Sequence, residues 1–254
     1  MKILVSITSY HKDKEKYLSK ILRSYEDISV TLECKIDVIL STNYEFKFNY
    51  NGSIIHNTTN YIYDLFWEYT WQNKKMIFSI YSDYDYIIES DDDILISEKN
   101  IVQYIKLKNI DKNYIPGFLV TERGSDNIEY IQSILYGDTV GQLNTINNKL
   151  FFTPRNLHSA CYMIDKQRMS DFLSLNKNST VPKSLDTYDC ACISVCEVYF
   201  YYKKVIEIDE INNHTVNHLP NKYINGKYDI KYFPNTIHHR FRSVEFWQNE
   251  IKLL

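Results

Sequence analysis

Glycine is scarce in this chain of 254 residues: there are six in all, and Gly52 is the one glycine among the first hundred positions. No GxxxxGK[ST] or GxGxxG loop is present, which excludes nucleotide binding through a glycine-rich phosphate cradle. No apolar run approaches the roughly 18 residues needed for a transmembrane helix. An excess of one charge is also lacking. Lys and Arg number 29 against 32 Asp and Glu, for a net charge of −3, so the basic footprint of a nucleic-acid binder is missing. The N-terminal MKILVSITSYHKDKEKYL has a strand-length apolar stretch followed by charge, without the longer apolar core and small-residue cleavage site of a secretory leader. Five cysteines, an odd number, then point to reduced thiols in a reducing, cytoplasmic setting. Cys190, Cys192 and Cys196 lack the C-x2-C pairing of structural zinc sites and read as small apolar positions on a buried helix.

What the chain does have is an ordinary globular balance, 44% hydrophobic and 24% charged, which argues against disorder. Tyr is abundant at 23. The accompanying Lys, Asn and Ile match AT-rich coding DNA, so the tyrosines need no sugar-stacking role. β-Branched runs at 2–7 (KILVSI), 36–40 (IDVIL), 53–56 (SIIH) and 84–90 (YDYIIES) alternate with helical spacing at 17–25 and 59–80. Ser97 is placed to cap a further helix containing Ile101, Tyr104 and Ile105. The alternation predicts an α/β fold with a mostly parallel central sheet flanked by helices. Further on, 116–122 and 203–208 read as strands, 166–175 and 186–200 as helices, and 209–254 as loop-rich. No repeat or linker interrupts the chain. A single domain over 1–254 is expected.

The most informative segment is Glu89-Ser90-Asp91-Asp92-Asp93. Two carboxylates one residue apart, just past a strand end, can share a hard divalent cation whose open positions bridge to substrate phosphates. The competing reading is a solvated acidic loop or helix start, where Asp also complements the helix dipole. Ligands of parallel sheets bind at the carboxyl ends of the strands, which favours the metal reading here.

DYDYIIESDDDILIS (83–97) resembles the DxD region of nucleotide-sugar glycosyltransferases with the GT-A fold, family 2-like. Other segments are similar in the same order: ILVSITSY (3–10), TWQNKK (70–75), YIPGFLVTE (114–122), HSACYMID (158–165) and NHLPNKY (217–223). The resemblance implies a single GT-A, Rossmann-like domain, with 1–110 as its nucleotide-sugar-binding half and 111–254 as an acceptor-side half and C-terminal tail, and transfer of a sugar from a UDP- or GDP-sugar to a hydroxyl. Asp91 and Asp93 would bind Mn²⁺ or Mg²⁺, with His218 as a third ligand. An imidazole ligand favours Mn²⁺. Thr8 and Tyr10, at the end of the first strand, would cup the base. Asp92 would contact the ribose, and Lys74 would approach the diphosphate unless it is simply solvated on its helix. One departure is that the Glu-Asp pair expected for the catalytic base is not present as such. Asp186 and Asp189 fall in that region; Asp189, nearer the apparent helix start, is the first choice, and direct displacement by such a base inverts the anomeric carbon.

The partners implied are the nucleotide-sugar donor and a glycan, lipid-linked sugar or protein side chain as acceptor, with no nucleic acid. Weak peripheral membrane contact is left open through the basic residues of the tail. Two other readings compete. A nucleotidyltransferase or phosphohydrolase would want a phosphate loop, or a Thr where Ile94 and Leu95 stand. A sugar-binding protein could keep the fold without turnover. His214 and His218 have H-x3-H spacing, but Pro220 and the missing HExxH glutamate argue against zinc.

Overall fold

The computed structural model describes residues 1–10, 12–58, 66–124, 126–131, 141–154, 157, 159–175, 197–220 and 242–252. In chain order its first elements are β1 (Lys2–Ser9), α1 (Glu15–Thr31), β2 (Lys35–Thr42), β3 (Ile54–Thr58), α2 (Phe66–Ile80), β4 (Tyr86–Asp91), β5 (Ile94–Leu95) and α3 (Glu98–Leu107). Then follow β6 (Tyr114–Pro116), β7 (Leu119–Arg123), β8 (Glu129–Ile131), β9 (Gly141–Ile146), β10 (Lys149–Pro154), β11 (Cys161–Asp165) and α4 (Lys166–Leu175). The last are α5 (Val198–Tyr201), β12 (Lys203–Glu207), a 3₁₀ run (Ile208–His214), β13 (Thr215–His218), β14 (Arg242–Ser243) and α6 (Val244–Lys252). They form two units interleaved in sequence, Met1–Asp93 with Ala160–Tyr201 and Ile94–Ser159 with Tyr202–Leu254. Among the described residues no helix is long and apolar enough to cross a membrane.

The fold is α/β, and its central sheet, in the first unit, is mostly parallel with helices packed on it. β1 and β2 are buried at every position but the first, as expected of parallel strands covered on both faces. Ile3, Leu4, Val5, Val38, Ile39 and Leu40 form the centre of this core. α1 buries Leu18, Ile21, Leu22, Tyr25 and Ile28; the spacing of three or four places them on one face. The strand order is β11-β4-β1-β2-β3. The chain builds outward from β1 through β2 to β3, then returns to add β4 on the other side of β1, all in parallel. β11 closes the far edge antiparallel to β4. Between β1 and β4 the direction of winding reverses, and such a switch point opens a crevice at the carboxyl ends of the two strands.

The second unit carries two further sheets, ordered β6-β12-β10-β9 and β14-β8-β7-β13-β5. β9 and β10 form a hairpin joined through Asn147 and Asn148 at φ 51° and 62°, the doubly left-handed turn that asparagine tolerates. α3 begins, as expected, at Ser97, which forms a reciprocal capping box with Asn100. The described parts of 209–254 are more regular than the loop-rich stretch expected. They contain β13, β14 and α6, and α6 turns Val244, Trp247 and Ile251 into a core with Leu119, Phe152 and Ile206. His214 ends the 3₁₀ run and His218 ends a strand, so their spacing does not put both on one helical face. Positions 59–65 of the helix expected at 59–80, and 186–196 of that expected at 186–200, lie outside the described residues. So do Cys190, Cys192 and Cys196.

Candidate active site at the carboxyl edge of the parallel sheet

The register of β1 and β4 sets Thr8 beside Asp91, and that of β1 and β2 sets Ser9 beside Thr42. The switch point is therefore walled by the last residues of three parallel strands. Asp91 ends β4, and its backbone N–H donates to the carbonyl of Ala160 at 3.0 Å. Ala160 is held at φ 51°, a left-handed conformation that costs a non-glycine residue about 1 kcal/mol or more and is common beside functional sites. Asp92 and Asp93 follow in a turn.

Each acid has a different environment. Ser9 donates from Oγ to Asp92 Oδ2 at 2.7 Å, and Ser9 Oγ is also 2.9 Å from the Tyr44 hydroxyl. Lys14, in the turn that leads from β1 into α1, bonds closely to Asp93, with its ammonium 3.8 Å from Asp92 Oδ1. Burial works to lower the Lys14 pKa, but Asp93 and Asp92 override it and raise it. Asp91 makes no side-chain hydrogen bond to another described residue. Burial first, and then the charges of Asp93 and Asp92, push its carboxyl well above the ordinary range.

Asp92 and Asp93 thus share the Lys14 ammonium, while Asp91 lies close enough to feel their charge. The donors are all hard oxygens, and the negative charge exceeds what Lys14 neutralises. That chemistry fits Mn²⁺ or Mg²⁺. Among the described residues no three His, Cys, Asp or Glu side chains are placed to hold a metal ion together, so a cation here would have at most two of these carboxylates as ligands and complete its shell with water or substrate oxygens.

Of the other residues singled out in the sequence, Thr8 is buried and its Oγ1 accepts from Asn73 Nδ2 at 2.9 Å. Tyr10 stands just beyond β1, half-buried. His218 belongs to the second unit, where its Nδ1 lies 2.5 Å from Glu122 Oε1. A carboxylate at Nδ1 fixes the ring's orientation and tautomer, as in many metal-ligating histidines. Asp186 and Asp189 lie outside the described residues.

Lys74, expected near the diphosphate or else solvated on its helix, is not solvated. Its residue is 1% exposed, with the ammonium 3.1 Å from Glu89 Oε2 and 2.6 Å from Glu197 Oε1. Burial alone would lower its pKa, yet the two carboxylates raise it. The Tyr162 hydroxyl donates to Glu89 Oε2 at 2.7 Å, and burial pushes its own pKa well up. Glu89 lies two residues before Asp91 on β4, so both project from the same face of the strand.

Sequence reasoning did not single out Lys14, Ser9, Tyr44, Glu197 or Tyr162. For Ser9 and Lys14 a signal existed, because the connection after a first parallel strand runs along the binding edge. For Glu197 and Tyr162 none did, since their partners are more than 70 residues away.

Neither a scan of protein-family models nor a search of curated proteins finds a match to this chain. Among solved structures, it is similar to one described as a glycosyltransferase involved in the glycosylation of the major capsid of PBCV-1. The identity is 11% and the TM-score 0.32, with both chains covered in full.

Proposed function

We propose that this chain is a metal-dependent glycosyltransferase of the GT-A kind, moving a sugar from a UDP- or GDP-sugar to a hydroxyl acceptor with inversion. The observation that supports this reading most is the group of three aspartates at the β1–β4 switch point, where a parallel sheet binds its ligand. Asp91 and Asp93 hold Mn²⁺ or Mg²⁺. When bound, the ion supplies a Lewis acid for the leaving diphosphate. Asp92, held by Ser9, orients the donor ribose, and Thr8 and Tyr10 line the end of β1 for the base. Asp189, or Asp186 in its place, takes the proton from the acceptor hydroxyl.

The test is a thermal-shift panel with UDP, GDP, CDP and dTDP, each with and without Mn²⁺. A ligand at a hundred times its Kd stabilises by about 2.7 kcal/mol, which for a protein of this size raises Tm by about 5–11 °C. The expected result is a rise with one nucleotide only when Mn²⁺ is present, abolished in Asp93→Ala. Asp189→Ala is expected to keep the rise and lose transfer. Nucleotide shifts that ignore Mn²⁺, or that persist undiminished in Asp93→Ala, overturn the metal assignment.

A further inference from the structure

Lys14 carries an inference that deepens, and rests on, the reading of the three aspartates as a cation-assisted diphosphate site. Its side chain is 16% exposed and those of Asp92 and Asp93 are each 12% exposed. These ionic contacts are partly shielded and stronger than those of a surface pair. The ammonium also stands 5.6 Å from the centre of the Tyr17 ring, close enough for a weak attraction between the cation and the ring face. Lys14 therefore rests against Asp93, the carboxylate that a divalent ion would require.

Ammonium and metal ion compete for the same oxygen charge. With all three carboxylates ionised, they and the Lys14 ammonium carry a net charge of −2, which a divalent ion balances with Lys14 still present. A nucleoside diphosphate then brings new negative charge into the same crevice, and a second cation is needed beside the metal. Lys14 is flexible, already next to the cluster, and anchored where β1 passes into α1.

We propose that Lys14 is a donor-binding residue with two alternating partners, Asp92 and Asp93 in the metal-free protein and the donor's phosphate oxygens once the ion has taken Asp93. The metal-free state is thereby kept partly neutralised, and the same ammonium becomes part of the diphosphate site only when the metal arrives. A purely structural role, in which Lys14 only ties the β1–α1 connection to Asp93, predicts the opposite response of the metal. Loosening that connection would weaken metal binding.

The experiment measures Mn²⁺ binding to the full chain without nucleotide, by electron paramagnetic resonance of free Mn²⁺. It then measures UDP and GDP binding at saturating Mn²⁺, by calorimetry. The proteins are wild type, Lys14→Met, Lys14→Arg and Asp91→Asn. Lys14→Met is expected to bind Mn²⁺ about fivefold more tightly, since a partly exposed competing ion pair has been removed. It is expected to bind the nucleotide roughly tenfold or more weakly, since a charge-assisted hydrogen bond to phosphate is lost. Lys14→Arg keeps the charge and is expected to stay close to wild type in both.

Mn²⁺ binding by Lys14→Met that is unchanged or weaker overturns the proposal. So does nucleotide affinity that survives the substitution, and so does a fall in both affinities shared by Lys14→Arg. If wild type and Asp91→Asn bind Mn²⁺ alike, the metal site itself is wrong, and both this inference and the proposed function fall together.

Discussion

Replacing Lys74 with methionine keeps most of the side-chain volume and removes the charge that two buried carboxylates share. Glu89 and Glu197 approach its ammonium at 3.1 and 2.6 Å, and all three residues are buried. Removing one partner of a buried ion pair costs about 3–5 kcal/mol, because the remaining charge is stranded. A stranded carboxylate escapes by taking a proton. Lifting a carboxyl from its ordinary pKa near 4.5 to 7 costs about 3.4 kcal/mol, within the same range. Burial already pushes Glu89 upward, against the pull of Lys74 and Tyr162, so it is the group expected to protonate. Tm at pH 7 should fall by about 6–20 °C, at 2–4 °C per kcal/mol for a protein of this size.

The deficit should also depend on pH. In Lys74→Met the folded state holds a proton on Glu89 that the unfolded state releases above about pH 4.5. The variant's stability relative to wild type therefore rises as pH falls from 7 toward 4.5. Circular dichroism melts at pH 7 and pH 5 measure both effects, and other titrating groups cancel in the difference between the two proteins. Adding Glu89→Gln and Glu197→Gln to Lys74→Met should restore most of the loss. A Tm at pH 7 indistinguishable from wild type would refute this argument, as would a deficit that does not shrink at pH 5.

Two further perturbations concern the second unit. His214 is buried, its Nδ1 2.8 Å from the carbonyl oxygen of Gly117 and its Nε2 accepting from the Glu207 N–H at 3.1 Å; these partners fix the neutral ring. Burial lowers its pKa from 6.5 to about 4. The stability it contributes is complete above pH 6.5 and is lost as pH falls toward 4, by up to about 3 kcal/mol; urea midpoints that fall equally in wild type and His214→Gln over this window would show otherwise. Gly117→Ala would put a Cβ 2.3 Å from Lys204 Cγ and 2.8 Å from Cε, against a side chain that is itself buried. A loss of about 1–3 kcal/mol from overpacking is expected in urea unfolding, and an unchanged midpoint would mean that the Lys204 stem swings clear.

Much of the fold and part of the candidate site could be read before any coordinates. KILVSI and IDVIL are β-branched runs that became β1 and β2, lengthened by two or three residues, and Ser97 caps its helix. The three aspartates were recognisable because they follow an apolar strand. The β9–β10 hairpin was overlooked although Asn147-Asn148 is a local signal for its turn. The Val244, Trp247 and Ile251 spacing of α6 was equally local, but it follows a stretch with Pro220 and Pro234 that reads as loop. The solvated alternative for Lys74 fails for a different reason. On its own helix it looks like any solvated lysine, and its burial follows from Glu89 and Glu197, 15 and 123 residues away.

The sequence by itself determined the strands and helices described in the first hundred residues, and that three carboxylates stand at the end of the fourth strand. Periodicity and turn chemistry act within windows of a few residues. Only the tertiary structure decided that β4 returns to the side of β1 opposite β2, which makes the end of that strand a topological switch point. It alone decided that Lys14 meets Asp93 and that Lys74 is enclosed between two glutamates. Strand order and charge pairing depend on chain closure over tens of residues, where the free energy comes from burying the sheet and its ion pairs together.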